Sequence, residues 1–353
     1  MSVWEENIRC VEPYTPGEQP KDTDVIKLNT NENPYPPSPA VEKALQGFDA
    51  ERLRLYPDPA VSDLVESLAK RYGVGKDQVF VGVGSDDVIS MCFLTFFNGK
   101  EPILFPDITY SFYDVWANLY HIPYKQIPLD EQFRIRPQDY HVPNGGIILP
   151  NPNAPTGVEE PLSVIEELLE ANPDSVVIID EAYVDFGAKS ALSLLNRYEN
   201  LLVVQTFSKS RSLAGMRIGY CFGSPKMIKY LNDVKYSFNS YTMSSPAIAV
   251  GVAAVEDEAY FQECCEKIIE TREWAKEELT TLGFTFPDSA SNFIFAHHKS
   301  VAAREIFAAL KEAKIYVRYF DKPRIDDYLR ITIGTREQME ALFAFLKNYL
   351  AER

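Results

Sequence analysis

The chain has 353 residues, 46% of them hydrophobic and 24% charged, which is enough to bury a large α/β core with a smaller lobe beside it. Thirty-five basic against 51 acidic residues give a formal charge of −16; a surface of that sign repels phosphate backbones and anionic lipids and argues against nucleic-acid and membrane partners. Four histidines, two of them adjacent as His297-His298, and five cysteines without paired CxxC spacing give no metal-ligand pattern and read as reduced thiols.

The longest apolar runs, such as Val176-Val177-Ile178-Ile179, are far too short to span a bilayer, and the N-terminus lacks the pattern of a secretory signal, so a cytoplasmic enzyme is expected. Residues 1–38, with Pro13, Pro16, Pro20, Pro34, Pro36 and Pro37 around the short apolar stretch Val25-Ile26-Lys27-Leu28, read as an extended arm. From residue 39 the periodicity predicts helices over Pro39–Gln46 and Val61–Tyr72, then strands at 78–83, 102–105, 146–149, 175–179 and 201–206 with helical stretches between several of them. Unbroken apolar strands alternating with helices predict a mostly parallel central sheet flanked by helices, here over residues 39–244. One long helical stretch from Ser245 to Leu282, strands at 292–296, 315–318 and 328–333, and a last helix at 336–350 predict a smaller α+β domain over 245–353.

Ligands of such sheets bind beyond the carboxyl ends of the strands, so the residues standing there decide the chemistry. The first strand runs into Gly84-Ser85-Asp86-Asp87 and a helix, where converging amides and the helix dipole suit a phosphate, although an ordinary Ser/Asp cap accounts for the same residues. Tyr110 follows the second strand and can stack on a planar ring or merely pack. The third strand ends in the conformationally restricted loop Pro150-Asn151-Pro152-Asn153-Ala154-Pro155-Thr156-Gly157, which aims the Asn153 amide. Asp180, followed by Glu181-Ala182-Tyr183, ends the fourth; a buried carboxylate there needs a cation, a hydrogen-bond donor or a helix to cap. The fifth continues as Phe207-Ser208-Lys209-Ser210, with Arg217 eight residues beyond the lysine. A partly desolvated lysine beside other cations spends time unprotonated, as an imine-forming amine must.

NPNAPTG, DEAY, TFSKS and LAGMRIGY, in that order, resemble the motifs of the class II family of fold-type I pyridoxal-phosphate aminotransferases. The arm motif KLNTNENPYPPSP and the segment LYPDP are most similar to its histidinol-phosphate aminotransferase branch. The resemblance implies a pyridoxal 5'-phosphate cofactor carried as a Schiff base on Lys209, which also moves the reacting proton. It implies that Asp180 holds the pyridine nitrogen protonated, that Tyr183 and Asn153 bond the ring's phenolic oxygen, and that Tyr110 stacks on the ring. Ser85, Asp86, Ser208 and Arg217 would bind the cofactor phosphate, joined by Tyr56 from the neighbouring subunit of a homodimer.

By the same resemblance Arg330, in YLRITIGT, would clamp the substrate carboxylate, Arg318 the substrate phosphate, and Tyr14 and Asn33 would line the substrate pocket. The implied reaction is ping-pong transfer of the amino group of L-histidinol phosphate to 2-oxoglutarate, giving imidazole acetol phosphate and L-glutamate. An aromatic or broad-specificity aminotransferase, and a threonine-phosphate decarboxylase, share the cofactor residues and stay open at this point.

Overall fold

The computed structural model describes residues 3–22 and 24–353. Its strands in chain order are β1 (Ile26–Lys27), β2 (Val79–Gly82), β3 (Ile103–Pro106), β4 (Tyr124–Ile127), β5 (Gly146–Pro150), β6 (Val177–Asp180), β7 (Leu201–Thr206), β8 (Gly219–Phe222), β9 (Phe284–Thr285), β10 (Phe293–His298), β11 (Ile315–Tyr316), β12 (Arg318–Tyr319) and β13 (Leu329–Thr332). The helices are α1 (Pro39–Gln46), α2 (Ser62–Tyr72), α3 (Ser85–Phe96), α4 (Tyr113–Tyr120), α5 (Leu162–Ala171), α6 (Pro225–Phe238), α7 (Ser245–Glu256), α8 (Glu258–Thr281), α9 (Ala303–Glu312) and α10 (Arg336–Ala351).

Seven strands form the central sheet in the order β2-β8-β7-β6-β5-β3-β4. The five from β7 to β4 are parallel, and β8 runs antiparallel between β2 and β7. Strands β5, β6 and β7 are buried along their whole length, as apolar runs covered on both faces must be. Their residues alternate between two cores. Ile147, Leu149, Val177, Ile179 and Val203 pack with Leu64, Ile165 and Val250 from α2, α5 and α7 on one face. Ile148, Ile178, Leu202 and Val204 pack with Phe93, Tyr113 and Leu231 from α3, α4 and α6 on the other. The period of two along β6 therefore puts Asp180 on the face of Ile178 and Tyr113, and Glu181 on the opposite one.

A second, antiparallel sheet, β12-β13-β10-β9, packs on α8, α9 and α10 through Phe293, Ile294, Ile306, Leu310, Ile331 and Leu342. The arm is tied to the same part of the chain: β1 and β11 form a separate two-stranded parallel sheet, Ile26 opposite Ile315. The predicted strand over 315–318 is thus two strands, one serving the arm and one the second sheet. The single helix expected over 245–282 is also two, because Asp257 leaves the helical region at ψ 65°. No proline or glycine marks that break. The buried Arg211 guanidinium accommodates it, donating to the carbonyl of Ala254 in the last turn of α7 at 2.6 Å. The edge strand β4 escaped the apolar criterion, since Tyr124, Lys125 and Gln126 are exposed.

One close approach sets the entrance to the site. Gly82 pairs with Gly219 across β2 and β8, and a side chain at 219 would meet the backbone carbon of Gly84 at 2.2 Å. Gly84 itself has φ 86°, so both positions require glycine. Gly219→Ala is expected to lower stability by about 1–3 kcal/mol through overpacking, read as a lower urea midpoint; an unchanged midpoint would show that the turn before α3 shifts freely.

Candidate active site

A cavity of about 190 Å³ opens beyond the carboxyl ends of β5, β6 and β7 and is lined by Ser85, Asp86, Tyr110, Asp180, Tyr183, Ser208, Lys209 and Arg217, with Thr30 and Glu32 of the arm and Pro150, Ala154, Ala182, Thr206 and Ala214. Side chains from five separate strand ends meet there because the sheet is parallel and all those ends point one way.

Asp180 lies at its floor. The carboxylate is 5% exposed and accepts two hydrogen bonds, from the Tyr113 hydroxyl at 2.9 Å and the Ala182 N–H at 3.2 Å. Burial pushes its pKa up to about 6 against the lowering effect of these two donors, with Asp86 adding to the rise and the Lys209 ammonium opposing it. No cation is in contact with it among the described residues. Glu181 contrasts with it: burial raises it to about 7, but it takes bonds from Ser190 Oγ, Ala191 N and Gln205 Nε2 and is closed off behind the sheet. A buried carboxylate held in place by a neutral hydroxyl and facing an open cavity suits a protonated ring nitrogen.

The amine of Lys209 donates to the carbonyl of Thr30 at 3.2 Å and lies 5.8 Å from the centre of the Tyr183 ring. Tyr183 presents its hydroxyl to the cavity and accepts there from Asn31 Nδ2 at 2.9 Å. Asn153 is buried, but its Nδ2 is committed to Ile108 O and Thr156 Oγ1, both at 3.0 Å. Its Oδ1 is buried without a partner, and Asn153 is not among the residues that line the cavity.

The other end of the cavity is built for an anion. The first-turn amides of α3 have no intrahelical acceptors, and Arg217, in the left-handed region at φ 53°, reaches across from the far side. Its Nη1 contacts Ser208 Oγ at 3.5 Å and its Nη2 contacts Asp86 at 3.1 Å. Asp86 also accepts from Tyr110 at 2.8 Å, and burial with that carboxylate alongside pushes the Tyr110 hydroxyl far above its ordinary range. Tyr110 therefore stays neutral and keeps its ring edge fixed. Ser85 and Asp86 at the start of α3, Ser208 and the Arg217 guanidinium line this end of the cavity, a helix N-terminus with a hydroxyl and a cation as a phosphate requires.

Arg330 is not among the residues that line this cavity or a second one of about 360 Å³, which Tyr14, Arg318 and Phe320 line. It donates to Asn29 O at 3.0 Å and stacks over Phe293 and Phe320, while its Nε is buried without a partner. Burial pulls its pKa down, and Arg318 nearby does so further. Among the described residues neither arginine forms an ion pair with an acid. Tyr14 stacks on Phe112 with ring centres 4.3 Å apart, at the rim.

One expectation needs correction. Asn33 lines neither of these cavities: its Nδ2 donates to the carbonyls of Lys209 and Ser210, each at 3.1 Å, so it anchors the loop that carries the lysine. Tyr56, expected to act on a neighbouring subunit, is 82% exposed and stacked against Tyr241 with ring centres 4.6 Å apart. Tyr113 and Asn31, which hold Asp180 and Tyr183, carried no local signal in the sequence.

Fold and site together define a transaminase. The chain belongs to the family "Aminotransferase class I and II", whose sequence model matches residues 23–346. Within that family it is 53% identical over 350 residues to the histidinol-phosphate aminotransferase of Lactococcus lactis subsp. cremoris (strain MG1363), covering 99% of this chain and 98% of that protein. The same fold is seen in the histidinol-phosphate aminotransferase of Clostridium acetobutylicum, with a TM-score of 0.86 at 20% identity over 93% of this chain and 100% of the other. It is also seen in that of Sinorhizobium meliloti in complex with pyridoxal-5'-phosphate, with a TM-score of 0.84 at 23% identity over 93% and 91% of the two chains.

Without cofactor, the elevated Asp180 pKa is a stability cost. Because the folded carboxyl holds its proton up to about pH 6 while an unfolded one releases it near pH 4, stability falls as pH rises through that window. Asp180→Asn is therefore expected to make the cofactor-free protein more stable at pH 8, by on the order of 2–3 kcal/mol, with the gain vanishing toward pH 4. Urea unfolding of both proteins at the two pH values measures it; an equal gap at both would contradict the assignment.

Proposed function

We propose that the chain transfers the amino group of L-histidinol phosphate to 2-oxoglutarate by a ping-pong route, as a step of histidine biosynthesis in the cytoplasm. The observation that carries the proposal is the pair of arginines without acidic partners, Arg318 and Arg330, beside a cavity that already has its own anion site at Arg217. A protein of formal charge −16 that leaves these two guanidiniums without acidic partners among the described residues is equipped for a substrate with an anionic tail. The cofactor accounts for one anion site, and the substrates, a phosphate monoester and a dicarboxylate, account for the other.

When bound, pyridoxal phosphate supplies a protonated ring that accepts electron density from the substrate carbon. Asp180 keeps the proton on the ring nitrogen, in an apolar floor where a lone carboxylate is otherwise costly. Lys209 attaches the cofactor and afterwards moves a proton at its Nζ, from a position now occupied by its bond to Thr30 O. Ser85, Asp86 through its backbone, Ser208 and Arg217 hold the cofactor phosphate, and Tyr110 packs against the ring. Tyr183 donates to the phenolic oxygen, with Asn153 at the same edge. Arg330 receives the carboxylate of 2-oxoglutarate or glutamate, and Arg318, with Tyr14, receives the phosphate of histidinol phosphate.

A homodimer with shared sites belongs to the same proposal. The exposed cluster of Leu53, Leu55 and Tyr56 has no use in a lone chain and gains one when Tyr56 reaches the neighbouring cofactor phosphate. We propose the division into arm, large domain and small domain at residues 38 and 244 on the same basis. No helix among the described residues is long and apolar enough to cross a membrane.

Two measurements check these assignments. Histidinol phosphate added alone to the cofactor-loaded protein is expected to change its visible absorbance in a single turnover, and 2-oxoglutarate to restore it; phenylalanine acting equally well would redirect the substrate assignment. Arg318→Gln is expected to weaken histidinol phosphate about 10- to 100-fold, the loss of one charge-assisted contact, with a much smaller effect on 2-oxoglutarate, whereas Arg330→Gln reverses the order. Equal losses for both substrates in both variants would contradict the division of labour.

A further inference from the structure

Asn31 has every polar atom committed. Its backbone lies in the left-handed region at φ 56°, which asparagine tolerates. The N–H donates to Thr332 Oγ1 at 3.1 Å, the side-chain Oδ1 accepts from that hydroxyl at 3.0 Å, and the carbonyl accepts from Asn292 Nδ2 at 3.0 Å. These bonds fix the amide plane, so Nδ2 points in one direction only, at the Tyr183 hydroxyl 2.9 Å away. Asn31 is 1% exposed and Tyr183 9%, so bulk water does not compete for the bond.

A tyrosine hydroxyl has one hydrogen to give. With Asn31 donating to its oxygen, that hydrogen must turn away from the arm and into the cavity. Lys209 and Arg330 are the charged groups that face Tyr183, with Tyr110 and Tyr113 the neighbouring titratable ones, and among the described residues Asn31 is the only hydrogen-bond partner of its hydroxyl. Both cations favour the same arrangement, with oxygen toward positive charge and hydrogen toward an acceptor.

We infer that Asn31 is a positioning residue that holds Tyr183 as a one-way hydrogen-bond donor into the cavity and thereby sets the pH at which the lysine-bound cofactor loses its proton. The inference rests on the reading above that the cavity takes pyridoxal phosphate with its phenolic oxygen beside Tyr183. A fixed donor to that oxygen stabilises its anion and lowers the proton affinity of the adjacent imine nitrogen. When the donor is free to rotate, part of that stabilisation is lost. Thr332 follows Arg330 by two residues on β13, so the strand that presents the arginine also builds the seat of Asn31.

The test is a pH titration of the visible absorbance of the cofactor-loaded protein. Asn31→Gly suits the left-handed backbone and deletes the donor without adding charge; Asn31→Asp keeps the Thr332 contact and replaces the donor with an acceptor. Both are expected to raise the titration midpoint, the glycine variant by about half to one pH unit. In a Tyr183→Phe background Asn31→Gly is expected to add no further shift. An unmoved midpoint with the absorbance band intact, or the same shift with and without the tyrosine hydroxyl, overturns the inference. A merely structural Asn31 would lower the melting temperature and leave the midpoint where it was. Should the glycine variant not fold, the aspartate variant decides by the same comparison. If the unsubstituted protein forms no band that depends on Lys209, the cofactor reading itself fails.

Discussion

The desolvated carboxylate of Asp180 is the constraint around which the rest of the site is arranged. A sheet buried on both faces brings an acid to the end of β6, where solvation is poor and its proton is held up to about pH 6. Among the described residues only neutral donors, Tyr113 and the Ala182 amide, hydrogen-bond to it. An Arg or Lys in contact would satisfy the charge permanently and leave nothing for a ligand to contribute. The cavity above it suits a cation that arrives from outside, and a protonated pyridine ring would be one. Stability given up in the cofactor-free protein is regained on binding, which couples folding energy to cofactor affinity.

Electrostatic sorting follows from the same logic. Arg217 shares its guanidinium among Asp86, Ser208 and Ala214 O, a loose set of partners that a phosphate can displace. Arg330 has one backbone partner and a buried, unpartnered Nε, so its charge is available at close range and little screened. The arm completes the arrangement. Asn29 O, Thr30 O and the Asn31 and Asn33 amides hold Arg330, Lys209, Tyr183 and the lysine loop in turn. Four residues within a five-residue stretch of the arm thus touch the groups assigned above to the substrate, the proton and the ring.

The strand ends were legible in the sequence because unbroken apolar runs mark buried parallel strands, and the residues after them are unusual for turns. Asp180, Lys209 and Arg217 stand where that reasoning puts them, lining one cavity. Strand β8 and the break between α7 and α8 were not legible: the first opens on Gly219, a poor strand former, and the second has no proline or glycine and is accommodated by Arg211 from a distant loop. Tyr113 and Asn31 act across 67 and 152 residues of sequence, and nothing local distinguishes them from a packing tyrosine and a loop asparagine. The amides of Asn33 and Asn153 are spent on backbone and hydroxyl partners that only the folded chain supplies.

The central claim is that Asp180 keeps the cofactor's ring nitrogen protonated. The direct measurement is the nitrogen-15 chemical shift of ring-labelled pyridoxal phosphate bound to the protein between pH 6 and pH 9. The account predicts the shift of a protonated pyridine throughout this range, and the shift of a neutral pyridine in Asp180→Asn. A neutral ring nitrogen in the unsubstituted protein would contradict it.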